Sequence, residues 1–291
     1  MNLPVVVGVD GSPDALTAVE WAADEAARHG LPLRLLYASL WERYEGDRSP
    51  EEPGPASEQV MADTVVATAA DHARRRAPGL KVLTDIVPEE AVQALLYAGH
   101  NATLLVTGSR GRGGLRGLLL GSVGLAVAGR AHCPVVVVRG DRAALAGTHE
   151  RILLGAGDPD SCEEAVRFAF GEARARGCVL DVVRAWRRPL HDPAGHPLLI
   201  GDPAHEQELQ ASEQLDAVLR EAAEDHPEIR LRRATAEGPA RRVLLDRSAA
   251  ADLVIVGARR RTGLVGLQLG RVAHTLLHHA PCPVAIVPQR V

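Results

Sequence analysis

The feature that most constrains the fold is that the chain contains one pattern twice. Residues 5–26, 33–41 and 101–138 match residues 152–173, 180–188 and 250–287. The offset is 147 at the start, 157 minus 10, and 149 at the end, 257 minus 108, a difference that one small insertion explains. Because such self-similarity marks repeated folding units, the sequence predicts two tandem domains, residues 1–140 and 150–291, joined through the polar segment 139–151.

Each half alternates short β-branched runs with helical patterns. In the first half the predicted strands are residues 5–9, 33–37, 82–87, 104–107 and 135–138, and the predicted helices are 14–28, 58–75, 89–99 and a segment after Gly121. This alternation indicates an α/β fold in each half, a doubly wound, five-stranded parallel sheet with helices on both faces. Two segments rich in proline, glycine and charge, 41–59 and 188–206, are predicted to be loops, with a lid over a ligand as the alternative.

Composition excludes several classes of protein. The 291 residues suit about two domains, and a net charge of only −4 favours neither nucleic acid nor an anionic membrane as a partner. The longest uncharged apolar stretch, residues 117–129, is too short to span a bilayer, and the start lacks a basic signal-peptide region, so a cytoplasmic location is predicted. The only lysine, Lys81, fits neither a Walker A loop nor a kinase strand.

The cysteines and nearby histidines do not predict a metal site. The chain has four cysteines, at 133, 162, 178 and 282, and they lack CxxC spacing. A short HCPV or PCPV motif recurs before the last strand of each half, which favours core packing. We therefore expect small buried thiols and no bound metal.

A glycine-rich loop, GSRGRGGLRGLLLGSV at 108–123, follows the fourth strand of the first half. Gly108, Gly111 and Gly121 allow the backbone to approach an anion closely, because no Cβ intervenes. Ser122 is predicted to be the N-cap of the next helix and to add a hydroxyl to a phosphate site at that helix end. The alternative is that the glycines turn a loop and the serine caps a helix. A GxGxxG dinucleotide motif fails here, because Arg116 holds its last position.

The loop also has the form GxxG, nine residues, then G[ST], with Gly108, Gly111, Gly121 and Ser122 in register. In this motif and in the duplicated pattern, the chain resembles tandem universal stress proteins of the ATP-binding type, whose fold is Rossmann-like and similar to the adenine nucleotide alpha hydrolases. The resemblance implies that the protein binds ATP, with Mg²⁺ on the phosphates, and that it forms homodimers through the last-strand edges.

Site residues follow from the resemblance position by position. It implies that Asp10 contacts the nucleoside and that the backbone of Ala38 contacts adenine, and Val9 is a further expected nucleotide-binding residue. Gly108 and Gly111 are expected at the ribose and phosphates, and Gly121, Ser122 and Val123 at the phosphates. Ser109, between the first two glycines, is also expected to bind the nucleotide. Charge alone adds Arg110 and Arg112.

The second half departs from this pattern. Gly157 stands at the position of Asp10, Arg260 at that of Gly111, and Arg271 at that of Ser122. We expect the second half to keep the fold and to bind ATP weakly or not at all. The alternative is that arginines 259–261 and 271 bind another anion.

Three functions remain open at this point. The first is a regulatory protein that binds ATP without turnover. The second, an ATPase or nucleotidyl transferase, is disfavoured because HxGH, KMSKS and SGGxDS motifs are all absent, so no enzyme is predicted. The third is an interaction module without nucleotide, in which edge strands 135–138 and 284–287 pair with each other or with another chain.

Overall fold

The computed structural model describes residues 3–40, 55–111, 120–158, 162–188, 203–258 and 269–289, and it divides into two compact units between Arg139 and Gly140. Each unit is an α/β fold of its own.

In the first unit, strands and helices alternate along the chain. The strands are β1 (Val5–Gly8), β2 (Leu33–Ala38), β3 (Val82–Val87), β4 (Leu104–Gly108) and β5 (Val135–Val138). The helices are α1 (Pro13–His29), α2 (Pro55–Arg76), α3 (Ala91–Gly99) and α4 (Ser122–Arg130). Parallel pairing gives the order β3-β2-β1-β4-β5, so the chain winds outward in both directions from the β1/β4 boundary. The predicted doubly wound, five-stranded sheet is confirmed.

The second unit repeats this topology. Its strands are β6 (Arg151–Gly155), β7 (Val179–Trp186), β8 (Leu231–Glu237), β9 (Leu253–Ala258) and β10 (Val284–Pro288). Its helices are α5 (Arg142–Leu145), α6 (Glu163–Arg176), α7 (Pro203–Asp225), α8 (Ala240–Ser248) and α9 (Arg271–His279). The order β10-β9-β6-β7-β8 is that of the first unit, read from the other end.

The inner strands form the core because they are apolar on both faces. Val6, Val7, Leu105 and Val106 are fully buried, as is the run Ile152–Leu154 in the second unit. A parallel strand covered by helices on both sides requires such a continuous apolar run. Burying each of these side chains contributes about 1.5–3 kcal/mol.

Helix α1 begins and ends with specific capping groups. The Ser12 side chain accepts a hydrogen bond from the Ala15 N–H at 3.2 Å, and Pro13 follows in the first turn, where its missing N–H costs nothing. Gly30 ends the helix at φ 63°, a left-handed conformation that favours glycine. Ser12 therefore fixes where the chain turns from β1 into α1, and Gly30 fixes where it leaves α1 toward β2.

Two predicted loops are partly helical, which corrects the sequence prediction. Residues 55–59 open helix α2 and residues 203–206 open helix α7. Each helix starts at a proline, Pro55 or Pro203, so a residue that suggested a loop is instead the first helical residue. The remaining parts of these predicted loops, 41–54 and 189–202, lie outside the described residues.

The predicted joint is mostly folded onto the second unit. Asp141 caps the short helix α5 by accepting from the Ala144 N–H at 2.9 Å, and its own N–H donates to the Pro281 carbonyl at 3.0 Å. Gly140 has φ 106°, and a Cβ there would lie 2.3 Å from that carbonyl oxygen. The segment after Arg139 therefore behaves as a part of the second unit.

Among the helices that the structure describes, none combines the length and the apolar character that crossing a membrane requires.

Candidate functional site

The candidate site of the first unit lies where three adjacent strands end. Val7 of β1 pairs with Leu35 of β2 on one side and with Val106 of β4 on the other. Three residues further along these strands stand Asp10, Ala38 and Ser109. The register therefore brings three of the predicted site residues to one level at the carboxyl edge, beside the switch point where open α/β sheets bind ligands.

Val9 contributes only its backbone to this edge. Its side chain is buried, and its N–H donates to the Leu36 carbonyl at 3.0 Å. Asp10 is the first residue of β1's extension whose side chain reaches solvent.

A tight turn fixes the Asp10 side chain. Its Oδ1 accepts a hydrogen bond from the Ser12 N–H at 2.9 Å. Gly11 between them has φ 81°, a left-handed conformation that an L side chain rarely adopts. The carboxylate is thus held by its own backbone, with Oδ2 on the side of the glycine-rich loop.

Gly111 is the loop residue that meets this carboxylate. A Cβ added at Gly111 would lie 2.7 Å from Oδ2 of Asp10, much closer than any real contact of that kind. The bare backbone at this position is therefore required if Asp10 is to keep its conformation. The sequence motif and the structure thus link Gly111 to Asp10 directly.

The other two motif glycines have different surroundings. A Cβ on Gly108 would lie 2.8 Å from the backbone C and O atoms of Asp14, so glycine here lets β4 pack against the first turn of α1. A Cβ on Gly121 would make only ordinary contacts, the nearest at 3.5 Å from the Ser109 carbonyl oxygen. Gly108 therefore has a packing role that the sequence did not indicate.

The start of helix α4 corrects the predicted role of Ser122. Gly121, in extended conformation, is the N-cap, and Ser122 is the first helical residue with an exposed side chain. The first helical hydrogen bond joins the Leu125 N–H to the Gly121 carbonyl at 3.2 Å. The N–H groups of Ser122, Val123 and Gly124 precede it and so have no acceptor within the helix.

The two helices that start at this edge differ in how their N-termini are satisfied. Helix α1 has the side-chain cap Ser12 and an acid, Asp14, in its first turn. Helix α4 has a glycine cap without a side-chain hydrogen bond and no acid in its first turn. The positive end of the α4 dipole is therefore the one left for an external anion.

Asp14 is a residue that sequence reasoning missed. Its Oδ2 accepts from the Ser109 hydroxyl at 2.7 Å and from Nε of Arg110 at 3.0 Å. Only the fold brings these residues together, since 95 positions separate Asp14 from Ser109. The predicted site residue Arg112 lies outside the described residues.

The corresponding edge of the second unit holds an arginine of its own. Arg184 on β7 donates to the carbonyl of Gly157, the residue at the position of Asp10. It also contacts Asp158 at 3.4 Å and Gln214 on α7, and its side chain is only 12% exposed. In the first unit the matching residue is Tyr37. Here a cation of the chain occupies the strand end where the first unit presents a carboxylate.

Helix α9 of the second unit starts like α4, with Gly270 as N-cap and Arg271 as the exposed first helical residue. A cation at the positive end of a helix is unfavourable for the helix itself. Arginines 259–261 lie outside the described residues. Of the arginine cluster predicted to bind an anion, the structure therefore describes only Arg271.

All four cysteines are buried and carry free thiols, which confirms the sequence prediction of small buried side chains. Burial raises the pKa of the Cys133 thiol to about 11 and also raises the pKa of Cys162 and Cys178. A buried thiol with a raised pKa is a poor nucleophile and a poor metal ligand, since both roles need the thiolate.

This duplicated fold, in which a glycine-rich loop faces a carboxylate in the first unit, defines a tandem α/β protein. The Universal stress protein family model matches residues 1–139 and again 148–288. The chain belongs to the universal stress protein family, and it carries the family's domain twice.

Relatives of full length support this assignment. The chain is 34% identical over 303 residues to Universal stress protein Rv2005c of Mycobacterium tuberculosis, covering 98% of this chain and 97% of the relative. It is 32% identical over 294 residues to a universal stress protein of Mycolicibacterium smegmatis, covering 98% and 97%. A crystal structure of a universal stress protein from Archaeoglobus fulgidus shares the fold over 98% of both chains, with a TM-score of 0.70 at 17% identity.

Proposed function

We propose that the first unit binds ATP at its carboxyl edge and that the protein acts as a regulatory, nucleotide-responsive stress protein. The observation that carries the proposal is the contact between Gly111 and Asp10, where any side chain would displace the carboxylate. Such a bare backbone facing a fixed acid has little packing value of its own. It suits a ligand that must approach both groups closely.

The nucleoside would lie across the ends of β1 and β2. Asp10 has one carboxylate oxygen held by the Ser12 N–H, and the other faces Gly111. A carboxylate in this position can accept hydrogen bonds from the hydroxyls of a ribose. Ala38, at the same level on β2, would offer its backbone to adenine without a large side chain in the way.

The phosphates would lie at the start of helix α4. The N–H groups of Ser122, Val123 and Gly124 have no helical acceptor, and the exposed Ser122 hydroxyl adds a further donor. Helix α1 is the poorer choice, because Ser12 and Asp14 already satisfy its N-terminus. Mg²⁺ would be held by the phosphate oxygens rather than by a protein cage, as is usual for this ion with nucleotides.

The hydrogen bonds of the two acids at this edge, Asp10 and Asp14, favour regulation without turnover over catalysis. Hydrolysis needs a positioned base or a cation at the terminal phosphate. Asp10 accepts from the backbone N–H of Ser12, and Asp14 accepts from the side chains of Ser109 and Arg110, so each carboxylate already has a structural partner. Steady ADP release under saturating ATP, abolished by Asp10→Ala, would instead support an ATPase.

Calorimetric titration of the full chain with ATP and Mg²⁺ tests the proposal. We expect about one ATP per chain, because one of the two clefts keeps the binding groups. Gly111→Arg places the second half's residue in the first cleft and should abolish binding. Gly171→Arg is the matched control: it adds the same charge on helix α6, where a Cβ meets nothing within 4 Å. Absence of ATP binding by the wild type, or unchanged binding by Gly111→Arg, contradicts the proposal.

The homodimer and the cytoplasmic location stay predictions. Sedimentation velocity at several protein concentrations tests the first of these, and a strict monomer would contradict it.

A further inference from the structure

Arg110 is held in place by an acid that the nucleotide proposal does not use. Its Nε donates to Oδ2 of Asp14 at 3.0 Å, and the Ser109 hydroxyl donates to the same oxygen at 2.7 Å. Ser109 is buried, whereas the Arg110 side chain is 59% exposed. One carboxylate oxygen therefore anchors a buried hydroxyl and the base of an exposed guanidinium.

This anchoring leaves most of the guanidinium unused. An arginine carries five N–H donors, of which Nε supplies one. Within the described part of the chain, the hydrogen bonds of the Arg110 side chain are confined to this Nε contact. The two terminal Nη groups thus have four N–H donors available, in the planar fork that matches a phosphate or carboxylate.

The backbone of Arg110 lies beside the open end of α4. The Ser109 carbonyl accepts from the Gly121 N–H at 2.7 Å, and a Cβ on Gly121 would lie 3.6 Å from the Cα of Arg110. On its other side, the Arg110 carbonyl accepts from the Ser12 hydroxyl at 3.4 Å. The anchored arginine therefore adjoins the helix end at which the phosphates are placed.

Comparing the two halves of the chain shows whether the fold itself requires the contact between Asp14, Ser109 and Arg110. Where the first half has Asp14 and Ser109, the second half has Ser161 and Ala258, so the acid and the hydroxyl are both lost, while Arg259 stands at the position of Arg110 without that acid. The loss coincides with the loss of Asp10 and Gly111. An anchor needed only for folding would be expected in both halves, because both keep the same topology.

We propose that Arg110, positioned by Asp14, contacts the terminal phosphate and makes the first unit select nucleotides by their number of phosphates. The inference rests on the proposed nucleotide binding. Asp14 acts as a positioning residue: it orients the guanidinium and reduces the conformational freedom that an exposed arginine loses on binding. Its own charge is balanced by Arg110 and by the positive end of α1, so it does not repel the phosphates strongly.

Titrations of the full chain with ATP, ADP and AMP test this selection. For the wild type we expect affinity to fall in that order. Arg110→Gln should weaken ATP binding about tenfold, the value of one charge-assisted hydrogen bond, and should change AMP binding by less than about twofold. Asp14→Asn keeps an acceptor for Ser109 but removes the charge, and should lower the ATP/AMP affinity ratio about threefold.

The affinity ratio distinguishes selection from a structural role. If Arg110→Gln weakens all three nucleotides equally, or leaves the ratio unchanged, the selection is overturned while ATP binding stands. Arg110→Gln alters an exposed side chain, so the test does not depend on the stability of the Asp14 variant. If the wild type binds none of the three nucleotides, the proposed function fails, and this inference fails with it.

Discussion

The two clefts of this chain share one topology and differ in the residues that touch one another. In the first, the Asp10 carboxylate faces Gly111 so closely that a Cβ on residue 111 would make the carboxylate shift. In the second, Gly157 and Arg260 stand at these positions, so the acid and the bare backbone are lost together. Arg184 then reaches the Gly157 carbonyl from the neighbouring strand. The comparison shows that two residues in contact, Asp10 and Gly111, have both been replaced in the second half.

The glycines divide along the same line. Gly108 packs against the backbone of α1, Gly121 caps α4, and both have glycine counterparts, Gly257 and Gly270, in the second half. Gly111, whose nearest neighbour is the Asp10 side chain, has no glycine counterpart, because residue 260 is an arginine. Comparing the two halves therefore separates the glycines that both copies of the fold keep from Gly111, which only the first half has.

The largest effect is expected at a glycine that both halves keep. Gly108→Ala places a Cβ 2.8 Å from the backbone C and O of Asp14, and backbone cannot move aside cheaply. We expect the free energy of unfolding to fall by about 2–3 kcal/mol, the cost of overpacking. Urea denaturation measures it, with Gly121→Ala, whose Cβ has only ordinary contacts, as the control. Equal stability of the two variants would contradict the packing role assigned to Gly108.

A smaller effect should arise from the pair lost in the second half. Gly111→Ala forces Asp10 to turn and give up its bond from the Ser12 N–H, at a cost of about 1–2 kcal/mol. In an Asp10→Gly background the same substitution should cost almost nothing, as Gly157 and Arg260 suggest. A double-mutant cycle measures the coupling. If the two effects simply add, the halves differ at these positions for unrelated reasons.

The smallest effect should come from Thr107, at a position where the second half has Val256. The Thr107 hydroxyl is buried, and it has no hydrogen-bond partner among the described residues. Thr107→Val replaces it with an apolar group of the same shape, so stability should be unchanged or should rise by up to about 1 kcal/mol. Thermal denaturation with and without ATP checks this. A loss of ATP affinity would mean that Thr107 belongs to the site and not to the core.

The fold could be predicted almost completely, because its signal is local and occurs twice. Strands β3 and β5 lie at the predicted residues, and the repeat gives the second unit its topology from the first. The start of α2 was missed, since proline opens this helix and suggested a loop. The sequence predicts Ser122 as the N-cap, one position after the observed cap Gly121, because the change from extended to helical backbone leaves no mark in the sequence.

The site was less predictable, because its contacts join distant parts of the chain. The motif indicated which glycines to examine, but only the fold separates Gly108, which packs against α1, from Gly111, which meets Asp10. Asp14 reads as an ordinary acid in a first helical turn until Ser109 and Arg110 reach it. The hydrogen bond from Arg184 to the Gly157 carbonyl likewise depends on how β7 pairs with β6.

The close approach of residue 111 to the carboxylate also bears on the order in which a duplicated copy can change these two positions. Once a bulky residue enters this loop position, an acid opposite it is a burden, and its replacement by glycine relieves the crowding. Return then has a fixed order, since an acid restored first meets the bulky residue, whereas a glycine restored first meets nothing and makes room for the acid. Among gene copies built on this plan, the glycine should therefore be regained before the acid, and an acid opposite a bulky residue should be rare.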